Sequence, residues 1–200
     1  MAAAHGAGAV PSPLVRVGII GTAGRQGSHA RLNAALFETM VIQARNVLTH
    51  DWQLDPQRVQ LVSGGAAWAD HVAVRLFLAG EVPQLVLHLP APWDRATQRF
   101  RCLPKGAGAS ANYYHSMFSQ GVGVDTFAEL GDAIDHGATV LDHYHGFFRR
   151  NDAVAQQCDY LLALGLEGMG APLPGSGTHY TWSKCPLPAE SKCYLNVTVL

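Results

Sequence analysis

Charge is scarce in this 200-residue chain: Asp, Glu, Lys and Arg together make up 14%, and the formal net charge is −1. Soluble chains average about 25% charged residues. A sequence pI near 6.8 leaves no general basic surface. That argues against a nucleic-acid backbone as partner, because such binding rests on many Lys and Arg contacts that release counterions. Long hydrophobic runs are also missing. Every apolar stretch is short and broken by Gly, His or charge, so no segment is expected to span a membrane. The first thirteen residues hold no Arg and no basic start ahead of a long apolar run. They read as a disordered Ala/Gly/Pro-rich tail rather than a secretory or transit signal, and the expected location is cytoplasmic. The four cysteines, Cys102, Cys158, Cys185 and Cys193, show no C-x-x-C spacing and are expected as free thiols.

Apolar residues are abundant, at 48%, which excludes a disordered chain and predicts one folded domain over residues 14–200. Val15 to Ile20 is a short β-branched run stopped by glycine, the pattern of a buried strand entering a tight loop. Helical spacing follows from Ser28, a candidate N-cap, to Leu48. Val59 to Val62 and Leu85 to Leu89 read as further strands, with a helix from Trp68 to Leu78 between them. The β-α-β-α-β order predicts an α/β fold: a single Rossmann-like, doubly wound, mostly parallel sheet with helices on both faces. From Trp93 to Val124 the pattern weakens. It reads as a long loop or lid with one short helix near Ala111 to Ser119. Helices are expected over Thr126 to Ile134, Arg149 to Cys158 and Thr178 to Lys184. Tyr160 to Leu164 and Tyr194 to Leu200 are the remaining strands.

Three glycine-bearing loops follow apolar runs: Gly21-Thr22-Ala23-Gly24-Arg25, Ser63-Gly64-Gly65-Ala66 and Gly175-Ser176-Gly177-Thr178. In a doubly wound sheet such loops gather at the carboxyl edge, where ligands bind. Glycine lets a backbone approach a phosphate, and amides at the next helix start face the anion. A tight turn needs glycine too, so one loop alone decides nothing; three converging loops predict an anion or nucleotide site. There is no G-x-x-x-x-G-K-[ST] string, so none of the loops is a P-loop, and the spacing of Gly21, Gly24 and Gly27 is not G-x-G-x-x-G, so NAD redox chemistry is not expected.

Arg150, in Arg149-Arg150-Asn151-Asp152, suits a bidentate phosphate contact, although the same run also makes a solvated helix start. Asp70 fits a helix start or a ligand contact equally. The Asp142-His143-Tyr144-His145 cluster lacks a second ligand pair at zinc spacing, so no bound metal is expected beyond Mg²⁺ carried in with a nucleotide phosphate. Trp93, Phe100, Tyr113 and Tyr114 suit either base stacking or the core.

The stretch Ser63-Gly64-Gly65-Ala66-Ala67-Trp68-Ala69-Asp70 resembles the SGGA-x-G-x-D loop of the Rossmann-like group called SLOG. That group joins the DNA-processing protein A family, the Lonely-guy (lysine-decarboxylase-like) phosphoribohydrolases and other nucleotide-binding proteins. Phe148-Arg149-Arg150-Asn151, Cys158-Asp159-Tyr160-Leu161-Leu162-Ala163 and Gly175-Ser176-Gly177-Thr178 follow the group's later motif order. The resemblance implies a site for a nucleotide or nucleotide-derived phosphorylated small molecule. Gly21, Thr22 and Arg25 would form its first loop and Ser63, Gly64, Gly65 and Asp70 its second. Arg150 and Asn151 would meet the phosphate or ribose, with Gly177 and Thr178 as the last anion-holding groups. It also allows a homodimer.

The phosphoribohydrolase glutamate is missing, because His179-Tyr180-Thr181-Trp182 follows Thr178. A nucleotide N-glycosidase would need a carboxylate from elsewhere, such as Glu129, Asp94 or Asp142. Catalytic residues are therefore not assigned. The same residues are also compatible with a single-stranded DNA binder or with a non-catalytic scaffold whose glycines serve only as turns.

Overall fold

The computed structural model describes residues 13–25, 28–103 and 106–197; of the expected tail only Pro13 falls within them. Strand β1 (Val15–Gly21) leads through a 3-10 turn (Ser28–Arg31) to α1 (Ala34–Asn46) and a π turn (Val47–Asp51). Strand β2 (Val59–Ser63) passes through a second 3-10 turn (Trp68–Asp70) to α2 (His71–Leu78) and β3 (Gln84–His88). A small antiparallel hairpin of β4 (Trp93–Asp94) and β5 (Arg99–Phe100) precedes α3 (Ala107–Val122), α4 (Thr126–Asp135) and β6 (Thr139–Leu141). Then come α5 (Phe147–Gln156), β7 (Tyr160–Gly165), α6 (Gly177–Lys184) and β8 (Lys192–Asn196).

Six strands form one sheet in the order β6-β3-β2-β1-β7-β8, with every neighbouring pair parallel. Parallel strands buried on both faces carry apolar residues on both. Val17, Ile19, Leu61, Leu162 and Leu164 enter the larger core shared with α1 to α4. Ile20, Val62, Leu161 and Ala163 enter a smaller one with Val154, Ala155 and Cys185 of the opposite layer. Helices thus cover both faces, and the domain is the expected Rossmann-like α/β type. The chain builds outward from β1 to β2, β3 and β6, then returns to place β7 on the other side of β1. The crevice at the carboxyl ends of β1 and β7 is therefore the topological switch point.

Local chemistry moves several expected boundaries. The first long helix starts at Ala34 rather than Ser28, because Asn33 is extended and its side chain accepts from the Leu36 amide at 2.9 Å. The stretch 93–124, expected as a loop or lid with one short helix near Ala111 to Ser119, holds the hairpin and a longer helix around that segment, the 16-residue α3. The glycines of its Gly-Ala-Gly-Ala-Ser start lower the local helix propensity, so packing helps to decide. Gly108, Ala111, His115 and Phe118 form its buried stripe, and Gly123 ends it in the left-handed region at φ +76°. The edge strand β6 carries too few residues to show a period of two, and it exists through pairing with β3. The last strand begins at Lys192 instead of Tyr194, and residues 198–200 of the expected strand lie outside the described residues.

Candidate functional site

Gly21 ends β1 against its neighbour so closely that an added Cβ would lie 2.0 Å from the Leu164 carbonyl oxygen and 2.6 Å from Ala69 Cβ. Only glycine permits this approach. The junction is knitted by the Thr22 amide donating to Leu164 O at 2.9 Å and the Ala69 amide donating to Thr22 O at 3.1 Å. Thr178 Oγ1 adds a third tie, donating to Gly21 O at 2.8 Å, so the start of α6 is fastened to the end of β1. Ser176 caps α6: its Oγ accepts from the His179 amide at 3.0 Å and donates to Leu173 O at 2.9 Å. The amides of Gly177 and Thr178 belong to the first turn and have no intrahelical acceptor. They carry the positive end of the helix dipole into the crevice.

Opposite them, the first turn of α5 delivers Arg150 into the interior. Its Nη1 donates to Asp70 Oδ2 at 2.9 Å, and the two side chains are only 7% and 6% exposed. Arg150 Nε has no partner among the described residues. Burial pulls the Arg150 pKa down, the Asp70 charge opposes this, and the charge of Arg25 pushes it lower still. A guanidinium keeps its proton regardless. The second glycine loop makes room for this pair. A Cβ on Gly64 would stand 1.1 Å from Arg150 Nη1 and 2.6 Å from Asp70 Oδ2. Ser63 Oγ donates to Asp70 O at 2.7 Å and accepts from the Gly65 amide at 3.3 Å. Behind them, His115 Nε2 donates to Gly65 O at 3.1 Å.

The crevice opens into a cavity of about 920 Å³. Gly21, Thr22, Arg25, Asp70, Arg150, Asn151, Gly177 and Thr178 all line it, so the structure brings together residues from four separate stretches of chain. Ser63, Gly64 and Gly65 do not line it: they lie behind the wall and hold the Asp70–Arg150 pair. Three guanidinium groups (Arg25, Arg31 and Arg150) face two carboxylates (Asp70 and Glu167). Arg31 pairs with Glu167 at 3.1 Å and also donates to Leu166 O. Sequence reading missed Arg31, Tyr194 and the Phe148–Tyr180 ring contact, 5.0 Å between centroids, that forms part of the wall. The contact joins α5 to α6, and only Phe148, beside Arg149-Arg150, carried any signal. Tyr194, from β8, donates to the Glu167 carbonyl and anchors the loop beyond β7.

Glu129, Asp94 and Asp142 do not line the cavity. Glu129 pairs with His71 and Arg75, Asp94 accepts from the Ala96 amide, and Asp142 accepts from the Trp93 amide. In the histidine cluster, Tyr144 donates to His88 Nδ1 at 2.6 Å, while His88 Nε2 donates to Gln157 Oε1 at 2.9 Å. Burial lowers the His88 pKa to about 4, with Gln157 opposing and the Arg150 charge assisting. Among the described residues no group of three or more His, Cys, Asp or Glu side chains is placed to hold a metal ion. No helix among them is long and apolar enough to cross a membrane.

No protein-family model matches the chain. It is similar to protein R261 of Acanthamoeba polyphaga mimivirus, an uncharacterized protein, with 27% identity over 186 residues that span 92% of this chain and 97% of that one. Among solved structures it is similar to DNA processing protein A from Streptococcus pneumoniae, with 16% identity and a TM-score of 0.41. That match covers 91% of this chain but about half, 49%, of the longer protein.

Proposed function

We propose that the protein binds a nucleotide or a nucleotide-derived phosphorylated small molecule in the cavity at the switch point. The observation that carries this reading is the convergence of Arg150, Arg25 and the amino-terminal turn of α6 on one crevice. Charge-assisted donors and first-turn amides are what a phosphate requires. Arg150 is held in place by Asp70, so little ordering of its side chain remains for binding. Its unpartnered Nε gives the buried guanidinium unused donor capacity. The motif order that resembles the SLOG group supports the same reading, since those motifs supply the walls and the backing of this cavity.

Isothermal titration with ribose 5-phosphate, nucleoside mono- and diphosphates and a single-stranded oligonucleotide tests it, with and without Mg²⁺. Arg25→Ala and Arg150→Lys should each weaken the phosphorylated ligand about tenfold or more, as expected for losing a hydrogen bond to a charged group. Unchanged affinity in both folded variants would place the ligand elsewhere.

A further inference from the structure

A second cavity of about 230 Å³ adjoins the first, and Ala23 lines both. Its other walls are Gly24, Leu32, Trp68, Tyr114, Met117, Gln120 and Gly121. None of these carries a charge. Trp68 shapes it: its backbone sits in the left-handed region at φ +62°, an unusual conformation for a bulky residue, while its side chain is buried. The indole packs on Phe118 with centroids 4.5 Å apart. Glycine flanks the indole on two sides. A Cβ on Gly24 would lie 3.1 Å from Trp68 Nε1, and one on Gly121 would lie 2.8 Å from Cη2. The guanidinium of Arg25, a wall residue of the first cavity, lies 5.2 Å from the ring centre of Tyr114, a wall residue of the second. A cation over an aromatic face thus joins the two spaces.

We infer that this second cavity is the subsite for the planar ring of the ligand whose phosphate occupies the first. The inference rests on the phosphate reading of the first cavity. Indole, phenol and thioether walls favour a flat, uncharged ring and disfavour a phosphate, which would be stripped of water without a counter-charge. Gln120 supplies an amide with both a donor and an acceptor, the complement of a nucleobase edge. Arg25, between the two, is placed to cover the sugar–phosphate junction.

Titration calorimetry on the full chain compares ribose 5-phosphate with the four nucleoside monophosphates. Met117→Trp fills the cavity, and Gln120→Ala removes the edge contact from an exposed position that leaves folding intact. At least one nucleotide should bind tenfold or more tighter than ribose 5-phosphate. Both variants should cut that advantage to under threefold while leaving ribose 5-phosphate affinity unchanged. Nucleotides no tighter than ribose 5-phosphate, or an advantage that survives both variants, would overturn the inference and leave the phosphate site standing. Nucleotide binding that depends on Gln120 and Met117 but on neither Arg25 nor Arg150 would sustain the ring subsite and refute the phosphate reading. Silence from every compound would refute both.

Discussion

Gly64→Ala is the sharpest probe of how the interior is assembled. Gly64 is not in the left-handed region, so the backbone itself tolerates alanine. The whole cost comes from space, because the new methyl would sit 1.1 Å from Arg150 Nη1 and 2.3 Å from its Cζ. The guanidinium has to leave, and the 2.9 Å bond to buried Asp70 goes with it. Breaking a buried ion pair from one side costs about 3–5 kcal/mol, because the remaining charge is stranded. Arg150 borders the cavity and its displaced end can reach water, so the lower figure applies. About 3 kcal/mol corresponds to about 6–12 °C in melting temperature for a domain of this size. The same alanine in an Arg150→Ala background meets no guanidinium, and its added cost should fall to about 1 kcal/mol, the remainder reflecting Asp70 Oδ2 at 2.6 Å. Urea unfolding followed by tryptophan fluorescence on the four proteins of this cycle measures the coupling. Additive costs would refute the claim that Gly64 is glycine for the sake of Arg150.

Acid should destabilise the fold earlier than carboxylates alone would cause. Burial lowers His88 to about 4 and His115 to about 3 from 6.5, so unfolding takes up protons as pH falls below 6.5, at about 1.4 kcal/mol per pH unit for each histidine. This loss should show as a falling melting temperature between pH 6.5 and 4.5, and a constant one would contradict it. His71 is shifted the same way by burial, with Glu129 opposing. Among the free thiols, exposed Cys102 should react with a disulfide reagent at pH 8 within the mixing time. Buried Cys158, its pKa pushed up to about 12, should react only on unfolding, and equal rates in C102S and C158S proteins would refute this. Removing the Ser176 cap as Ser176→Ala should cost about 1 kcal/mol in a denaturant titration. No measurable loss would mean that α6 is held by Thr178 and its packing instead.

What the amino-acid order determined by itself was the alternation of short apolar runs with helical periods, and glycine or proline after each run that had to stop. That pattern was enough for the α/β class, for β1, β2, β3 and β7, for the loop that carries Thr22 and for the helix starts that carry Arg150 and Thr178. Periodicity is a local property, so it could be read without the fold. It could not reveal β6, which is strand only because β3 offers it an edge, and of α3 it showed only the middle, Ala111 to Ser119, since the glycines at the helix start need packing to hold them helical. Nor could it separate the roles of neighbouring glycines. Gly21 reaches the cavity wall, whereas Gly64 lies behind it to admit a side chain 86 positions further along the chain. Trp68 at φ +62°, between Gly24 and Gly121, was equally hidden. Which side chain fills the space a glycine leaves depends on segments far apart in sequence, and only the closed tertiary structure brings them into contact.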